Sequence, residues 1–282
     1  MTIQKVGVLG AGTMGVGIAQ VFVQSGFDVQ LVDNQPSHLQ RAFTEIQISL
    51  EQAIASGRLT KEQAEAAIGR LRTSPQLEVF KECDLILEAV TEEEPTKIAL
   101  FQSVDRICPE HTILASNTSA IAITRMAAAT KRPDRFMGMH FMKPALERDV
   151  VELIRGLQTS DETYNALFEL SAQLNKTAVS VKDYPGFVSN RLLIPMINEA
   201  IYALYEGVAT VEDIDTVMEL GRGHQKGPLK LADGIGLDIC LSVMKVLHHG
   251  FNDDKYRPCP LLQQMVDAGY LGEKSGRGFY TY

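Results

Sequence analysis

The sequence predicts an α/β domain with a mostly parallel, doubly wound sheet and a helical-hairpin insertion over residues 1–184, then an all-α domain over residues 185–282. Three observations predict it. β-type runs alternate with helical ones through the first part of the chain, the pattern of parallel strands joined by crossover helices. A glycine cluster separates the first β-run from the first helix. Beyond the turn Asp183-Tyr184-Pro185-Gly186, strand patterns nearly vanish and helical ones dominate. The length of 282 residues exceeds the usual single domain of roughly 100–200 residues, so two domains are expected.

The elements follow in order. Residues 5–10 are a short β-rich run, and residues 13–25 carry Met14, Ile18, Val21 and Phe22 at helix-compatible spacing. Residues 28–33 are a second apolar run that ends on Asp33. From residue 37 to about 72 two amphipathic patterns meet near Ser56-Gly57, and Thr60 with Gln63 three residues later is a capping box that restarts the second. This predicts a helical hairpin. β-type runs return at residues 83–90, 112–116, 135–141 and 150–155, with helical stretches at 95–107 and 120–130 between the first three. Residues 177–182 lead into the turn cluster, which places the boundary near residue 184. Helices are expected beyond it over residues 188–207, 211–221 and 235–249.

Composition bounds the function. With 35 acidic against 27 basic residues the formal charge is −8, the wrong sign for gripping nucleic acid or an anionic membrane over a broad face. Cys83, Cys108, Cys240 and Cys259 form no C-x-x-C pair and no zinc-type cluster, so reduced thiols and a cytoplasmic location are expected. The N-terminus lacks a basic-then-apolar leader, and the run 192–205 is broken by Pro195, Asn198 and Glu199, so neither export nor a membrane span is indicated. His38, His111, His224, His248 and His249 read as solvated or packed, and no metal site is expected.

Gly10-Ala11-Gly12-Thr13-Met14-Gly15 matches G-x-G-x-x-G between a predicted strand and helix. The first glycine suits the tight turn, the second lets backbone approach a pyrophosphate, and the third lets the helix pack on the strand. Asp33 follows Gly15 by 18 residues and closes the next strand, where a carboxylate accepts from ribose hydroxyls and repels a 2′-phosphate. A Rossmann-type site for NAD rather than NADP is the reading, with Gly10, Gly12, Thr13, Met14, Gly15 and Asp33 as its residues.

Ser116-Asn117-Thr118-Ser119, Gly138-Met139-His140-Phe141, Val151-Glu152-Leu153, the stretch from Pro185-Gly186-Phe187 to Asn190-Arg191, and Gly276-Arg277-Gly278-Phe279-Tyr280 follow. In order and spacing these resemble the L-3-hydroxyacyl-CoA dehydrogenases, a family that includes 3-hydroxybutyryl-CoA dehydrogenase, over essentially the whole chain. The resemblance implies a Rossmann domain plus a helical domain that carries dimerisation. It implies His140 as general base, Glu152 as its orienting carboxylate, and Ser119 and Asn190 as partners of the substrate oxygen. Glu92, Lys97 and Asn117 are implied near the cofactor. From the residues alone, His140 reads sooner as a structural histidine, Glu152 as a surface acid, Ser119 as readily as part of an N-cap cluster, and Glu92 with Lys97 as an exposed helical charge pair.

The chain also departs from the family pattern. His140-Phe141-Met142-Lys143-Pro144 stands where His-Phe-Phe-Asn-Pro is usual, and Lys226 stands where the family commonly has a neutral residue. Two added cations point to a short or polar acyl group, with solvated lysines as the plain alternative. The hairpin offers only Arg58 over residues 49–58, where many relatives place lysines near the CoA nucleotide. The expected substrate is therefore an acyl-CoA thioester or, as an alternative, a hydroxyacyl group on an acyl carrier protein, as in hydroxymalonyl or methoxymalonyl extender-unit biosynthesis for polyketides. A 6-phosphogluconate-type dehydrogenase would rely on a catalytic Lys, which the His140/Glu152 pair argues against. A non-catalytic NAD-binding structural protein is the remaining alternative.

Overall fold

The computed structural model describes residues 2–282. It divides into two compact units, Met1–Asp183 and Tyr184–Tyr282. The first contains β1 (Lys5–Leu9), α1 (Thr13–Gln24), β2 (Asp28–Val32), α2 (Pro36–Ala55), α3 (Lys61–Gly69), β3 (Leu71–Ser74) and β4 (Leu85–Glu88). It continues with α4 (Glu94–Ile107), β5 (Ile113–Ser116), α5 (Ile123–Ala128), β6 (Phe136–Phe141), β7 (Val150–Arg155), α6 (Asp161–Gln173) and β8 (Thr177–Lys182).

These strands form one sheet in the order β3-β2-β1-β4-β5-β6-β7-β8, parallel except where β7 runs against β6. The order reverses at β1, so the switch point lies between β1 and β4. β4 and β5 are buried at every residue, as continuous apolar runs in the middle of a helix-covered sheet should be. The link between β6 and β7 is residues 142–149. A parallel return needs a crossover of about a dozen residues or more, so this short link makes the pair antiparallel. β8 closes the far edge with Thr177, Ser180 and Lys182 exposed or partly exposed, a polar edge of the kind that resists pairing with another chain.

The expected helical hairpin is present: α2 and α3 stand in the crossover between β2 and β3, whose register is Val29↔Leu71 to Val32↔Ser74. β3 has the mixed sequence Leu71-Arg72-Thr73-Ser74 with only Leu71 buried, too little apolar pattern to announce a strand. α6 was not expected either, although Ser160 accepts from Thr163 N at 3.1 Å as a regular N-cap. The capping box at Thr60 and Gln63 forms as read.

The second unit contains α7 (Ser189–Tyr205), α8 (Val211–Arg222), α9 (Pro228–Ile235), α10 (Leu237–Phe251) and α11 (Pro260–Asp267). Ile194, Ile197, Ile201, Leu229, Leu237, Met244, Leu247 and Leu262 form its core. The helix expected at 235–249 is α10, which begins just after Gly236 with its φ of 105°. α9 and α11 each start on a proline after a turn. At eight residues each they are too short to stand out as periodic patterns.

Two buried aspartates lock the chain end to this unit. Asp215 accepts from Leu229 N and Lys230 N at the start of α9 and from the Tyr280 hydroxyl at 2.9 Å. Asp233 accepts from Phe279 N, Tyr280 N and the Tyr282 hydroxyl. Burial and the neighbouring carboxylates push both tyrosine hydroxyls above their ordinary range.

Candidate active site

The glycine loop leaves the carboxyl end of β1. Gly10 has φ 105°, and a Cβ there would lie 2.6 Å from the Ala89 carbonyl oxygen just past β4. A Cβ on Gly15 would lie 1.8 Å from the Gly10 carbonyl oxygen. Protein therefore fills the space beside the first and third glycines. Beside Gly12 nothing lies within 4 Å, so space opens where a phosphate would approach backbone. Gly12 is also the N-cap of α1 and has no side-chain cap, leaving the first amides and the positive helix end for an anion. Thr13 is exposed and Met14 half-buried in that first turn. These features fit a dinucleotide.

Asp33 follows β2 and is already engaged. Its Oδ2 accepts from Ala11 N at 2.8 Å, and its Oδ1 accepts from Gln35 N at 2.9 Å and lies 3.2 Å from His38 Nδ1. The carboxylate thus ties the glycine loop to the start of α2. His38, expected as solvated or packed, pairs with it, and Arg41 Nη2 reaches the Ala11 carbonyl at 3.4 Å. Neither residue was singled out from sequence. The usable signal is helical spacing: His38 and Arg41 lie three apart on α2, on one face.

At the ends of β4 and β5 the alternative of an exposed charge pair holds for Glu92 but not for Lys97, which is buried in a network. Lys97 is only 1% exposed, and its Nζ lies 2.5 Å from Glu88 Oε1 and 3.1 Å from Glu92 Oε2. Glu92 Oε1 accepts from Ser119 N at 3.0 Å, Ala120 N at 3.2 Å and the Thr118 hydroxyl. Sequence reading missed Glu88 because it closes an otherwise apolar strand, Leu85-Ile86-Leu87-Glu88. The carboxylate of Asp183 caps α5 through Ile123 N and Thr124 N. Residues 117–119 therefore build a turn rather than the cap of that helix. Asn117 Oδ1 accepts from Phe141 N at 2.8 Å, which joins this turn to the end of β6.

His140, on β6, stands directly opposite Glu152 on β7. Their side chains meet at 2.8 Å between His140 Nδ1 and Glu152 Oε2, with the residues 8% and 3% exposed. An ionised carboxylate only accepts, so Nδ1 carries the proton and Nε2 is the basic atom. Glu152 is accordingly no surface acid. The cluster around His140, Ser119, Glu92 and the glycine loop sits at the carboxyl ends of β1, β4, β5 and β6, the edge where parallel sheets bind ligands. Lys143, before Pro144 in the β6–β7 link, is exposed. In the helical unit Asn190 is the second residue of α7, and Lys226 is exposed just before α9. Among the described residues no three His, Cys, Asp or Glu side chains are grouped to hold a metal ion.

The chain matches family models along nearly its whole length. Residues 5–184 match the NAD binding domain of 3-hydroxyacyl-CoA dehydrogenase, and residues 186–282 match its C-terminal domain. A probable 3-hydroxybutyryl-CoA dehydrogenase of Bacillus subtilis is 51% identical over 282 residues, 100% of this chain and 98% of that protein. A 3-hydroxybutyryl-CoA dehydrogenase of Bradyrhizobium diazoefficiens is 49% identical over 280 residues, covering 99% of this chain and 96% of its own. The crystal structure of (S)-3-hydroxybutyryl-CoA dehydrogenase from Ralstonia eutropha has a TM-score of 0.97 and 48% identity, covering 100% of this chain and 99% of that one.

Proposed function

The chain belongs to the 3-hydroxyacyl-CoA dehydrogenase family, and from that premise we propose that it interconverts short-chain 3-hydroxyacyl-CoA and 3-oxoacyl-CoA with NAD. The His140–Glu152 pair at the carboxyl edge of a dinucleotide-binding sheet carries this reading. When bound, the nicotinamide supplies the hydride acceptor or donor. In the oxidation direction His140 Nε2 takes the proton of the 3-hydroxyl. Glu152 holds Nδ1–H and stabilises the imidazolium that forms. Ser119, on the turn tied to Glu92, and Asn190, on α7, are the proposed hydrogen-bond partners of the substrate oxygen. The Gly10–Gly15 loop, with Thr13 and Met14, takes the pyrophosphate. Asp33 takes the adenosine ribose, while Glu92, Lys97 and Asn117 shape the cofactor's other end.

A small acyl group agrees with the named relatives. The carrier-protein alternative is not favoured by them, since their names carry coenzyme A. Lys143 and Lys226 are proposed as substrate-side cations on the ground that both are exposed and replace neutral family residues. A homodimer through the helical unit is supported by the apolar side chains it exposes: Leu192 at 69%, Leu220 at 85%, and Val217 and Ile239 besides. A cytoplasmic location fits four buried cysteines without a disulfide. Burial pushes the Cys83 and Cys240 thiols up to about 12 and that of Cys108 to about 11, so they stay protonated and unreactive. Among the described residues no helix is long and apolar enough to cross a membrane.

The test is NADH oxidation with acetoacetyl-CoA, run beside the same acyl group on a carrier protein. Turnover of the CoA thioester that disappears in His140→Ala supports the proposal. A protein that binds NADH but turns over neither thioester refutes it. Sedimentation at micromolar concentration, with Leu220→Lys as control, checks the dimer.

A further inference from the structure

We propose that Glu88 is a positioning residue for this reaction: it holds Lys97 and Ser116 and, through them, sets the turn that carries Ser119. The inference rests on the catalytic reading above. Glu88 is fully buried at the end of β4, next to the switch point. Its Oε1 accepts from Lys97 Nζ at 2.5 Å and Val90 N at 2.7 Å, and its Oε2 accepts from the Ser116 hydroxyl at 2.6 Å. Stability alone does not ask for such a group. Replacing a buried ion pair by apolar side chains is often neutral or stabilising, and the positions around it, Leu85, Ile86, Leu87 and Ala115, are apolar and buried.

What the carboxylate does is visible in where its partners lead. Lys97 bridges from Glu88 to Glu92, and Glu92 takes the amides of Ser119 and Ala120 and the Thr118 hydroxyl. Ser116 Oγ, held by Glu88, accepts from Thr118 N at 3.1 Å. Two routes therefore run from one buried carboxylate to one turn. One passes through Lys97 and Glu92, the other through Ser116. Asp33 after β2 marks the adenosine side of a doubly wound sheet, so the edge at β4 and β5 lies on the nicotinamide side, toward His140 on β6. A turn that presents a substrate-oxygen partner there must hold its position closely, because misplacement by about 1 Å can cost about a hundredfold in rate.

The experiment compares wild type, Glu88→Gln, Ser116→Ala and the double variant Glu88→Gln/Lys97→Met. Melting temperature, hydrogen exchange of the Thr118, Ser119 and Ala120 amides, and kcat and KM for acetoacetyl-CoA reduction are read for each. Glu88→Gln leaves Lys97 with half its counter-charge, so it should lower the melting temperature, speed exchange at the turn and cut kcat about tenfold or more. The double variant removes the stranded cation and should recover the melting temperature. Its turn should still exchange fast and its kcat stay low, since nothing then draws Glu92 into place. Ser116→Ala keeps the ion pair and should speed exchange at Thr118 in a protein that folds normally. Recovery of both melting temperature and kcat in the double variant would reduce Glu88 to a counter-ion and overturn the proposal. Unchanged amide exchange in all three variants would overturn it too. Wild-type protein inactive on acetoacetyl-CoA would instead count against the proposed function and leave the exchange comparison standing.

Discussion

Replacing Glu152 by Gln isolates the charge of the carboxylate facing His140. The side chain keeps its length, and its amide oxygen can still accept from His140 Nδ1 across the β6–β7 pair, where the ionised partner now lies at 2.8 Å. Only the charge is lost. A hydrogen bond to a charged group contributes about 1.5–3 kcal/mol net and a neutral one about 1 kcal/mol. The difference, felt mainly when His140 becomes an imidazolium, is about 0.5–2 kcal/mol, or about 2–30-fold in kcat. Both residues are shielded from water, which keeps solvent from replacing the lost interaction. NADH affinity should not change, because the pair lies on β6 and β7 while the glycine loop follows β1. Stopped-flow turnover with acetoacetyl-CoA, beside an NADH fluorescence titration, reads both quantities. His140→Ala sets the lower bound, at about a hundredfold loss or more. A Glu152→Gln enzyme as fast as wild type, with NADH affinity intact, would mean that no imidazolium forms there.

Four further outcomes are expected. Gly12→Ala should melt like wild type yet lose NADH affinity, since a methyl group there meets only open space, whereas Gly15→Ala should melt lower because its methyl group meets the Gly10 carbonyl at 1.8 Å; calorimetry and titration separate them, and equal behaviour would refute the assignment. Asp33→Ala should weaken NADH and narrow its preference over NADPH, and an unmodified protein that binds NADPH as tightly would refute the ribose role. Stability should be level through neutral pH and fall as pH passes about 10, where unfolded tyrosines ionise while Tyr280 and Tyr282 are held protonated; Tyr280→Phe should flatten that fall in a pH series of melting curves. Lys143→Asn should raise kcat/KM for acetoacetyl-CoA relative to an acidic or hydroxylated acyl-CoA, and an unchanged ratio would show that Lys143 points away from the acyl group.

The parts of this fold that sequence made legible are those in which one physical signal suffices. β1, β4 and β5 are apolar runs, the glycine loop is a spacing pattern, and the capping box of α3 is a pair of residues three apart. β3 was not legible because its pairing with β2, rather than its own side chains, makes it a strand. α9 and α11 were not, because short helices that start on proline carry little periodicity. In the candidate site, Glu88 and the burial of Lys97 escaped because whether a charged residue is exposed or buried depends on partners distant in sequence, and Ser116 is 28 residues from Glu88. Asp33 stood out by its place at the end of β2, while its ties to Ala11 and His38 required the fold.

The pairing of His140 with Glu152 shows how topology and chemistry meet in this chain. Residues 142–149 are too few for a crossover helix, so β7 must turn back along β6. An antiparallel return of that length brings a residue of β7 opposite each residue of β6, and the observed register, Gly138↔Ile154 through Phe141↔Val151, puts Glu152 opposite His140. Side chains alternate between the faces of a strand, so a shift of one residue would offer Val151 or Leu153 in its place and send the carboxylate to the other face. The register is held from three sides. Lys176 donates to the Leu146 and Arg148 carbonyls within the link, and Thr177 N donates to the Asp149 carbonyl at the start of β8. Asn117 fixes the amide of Phe141 from the β5 end. The one antiparallel step in an otherwise parallel order is thus what gives the imidazole its carboxylate.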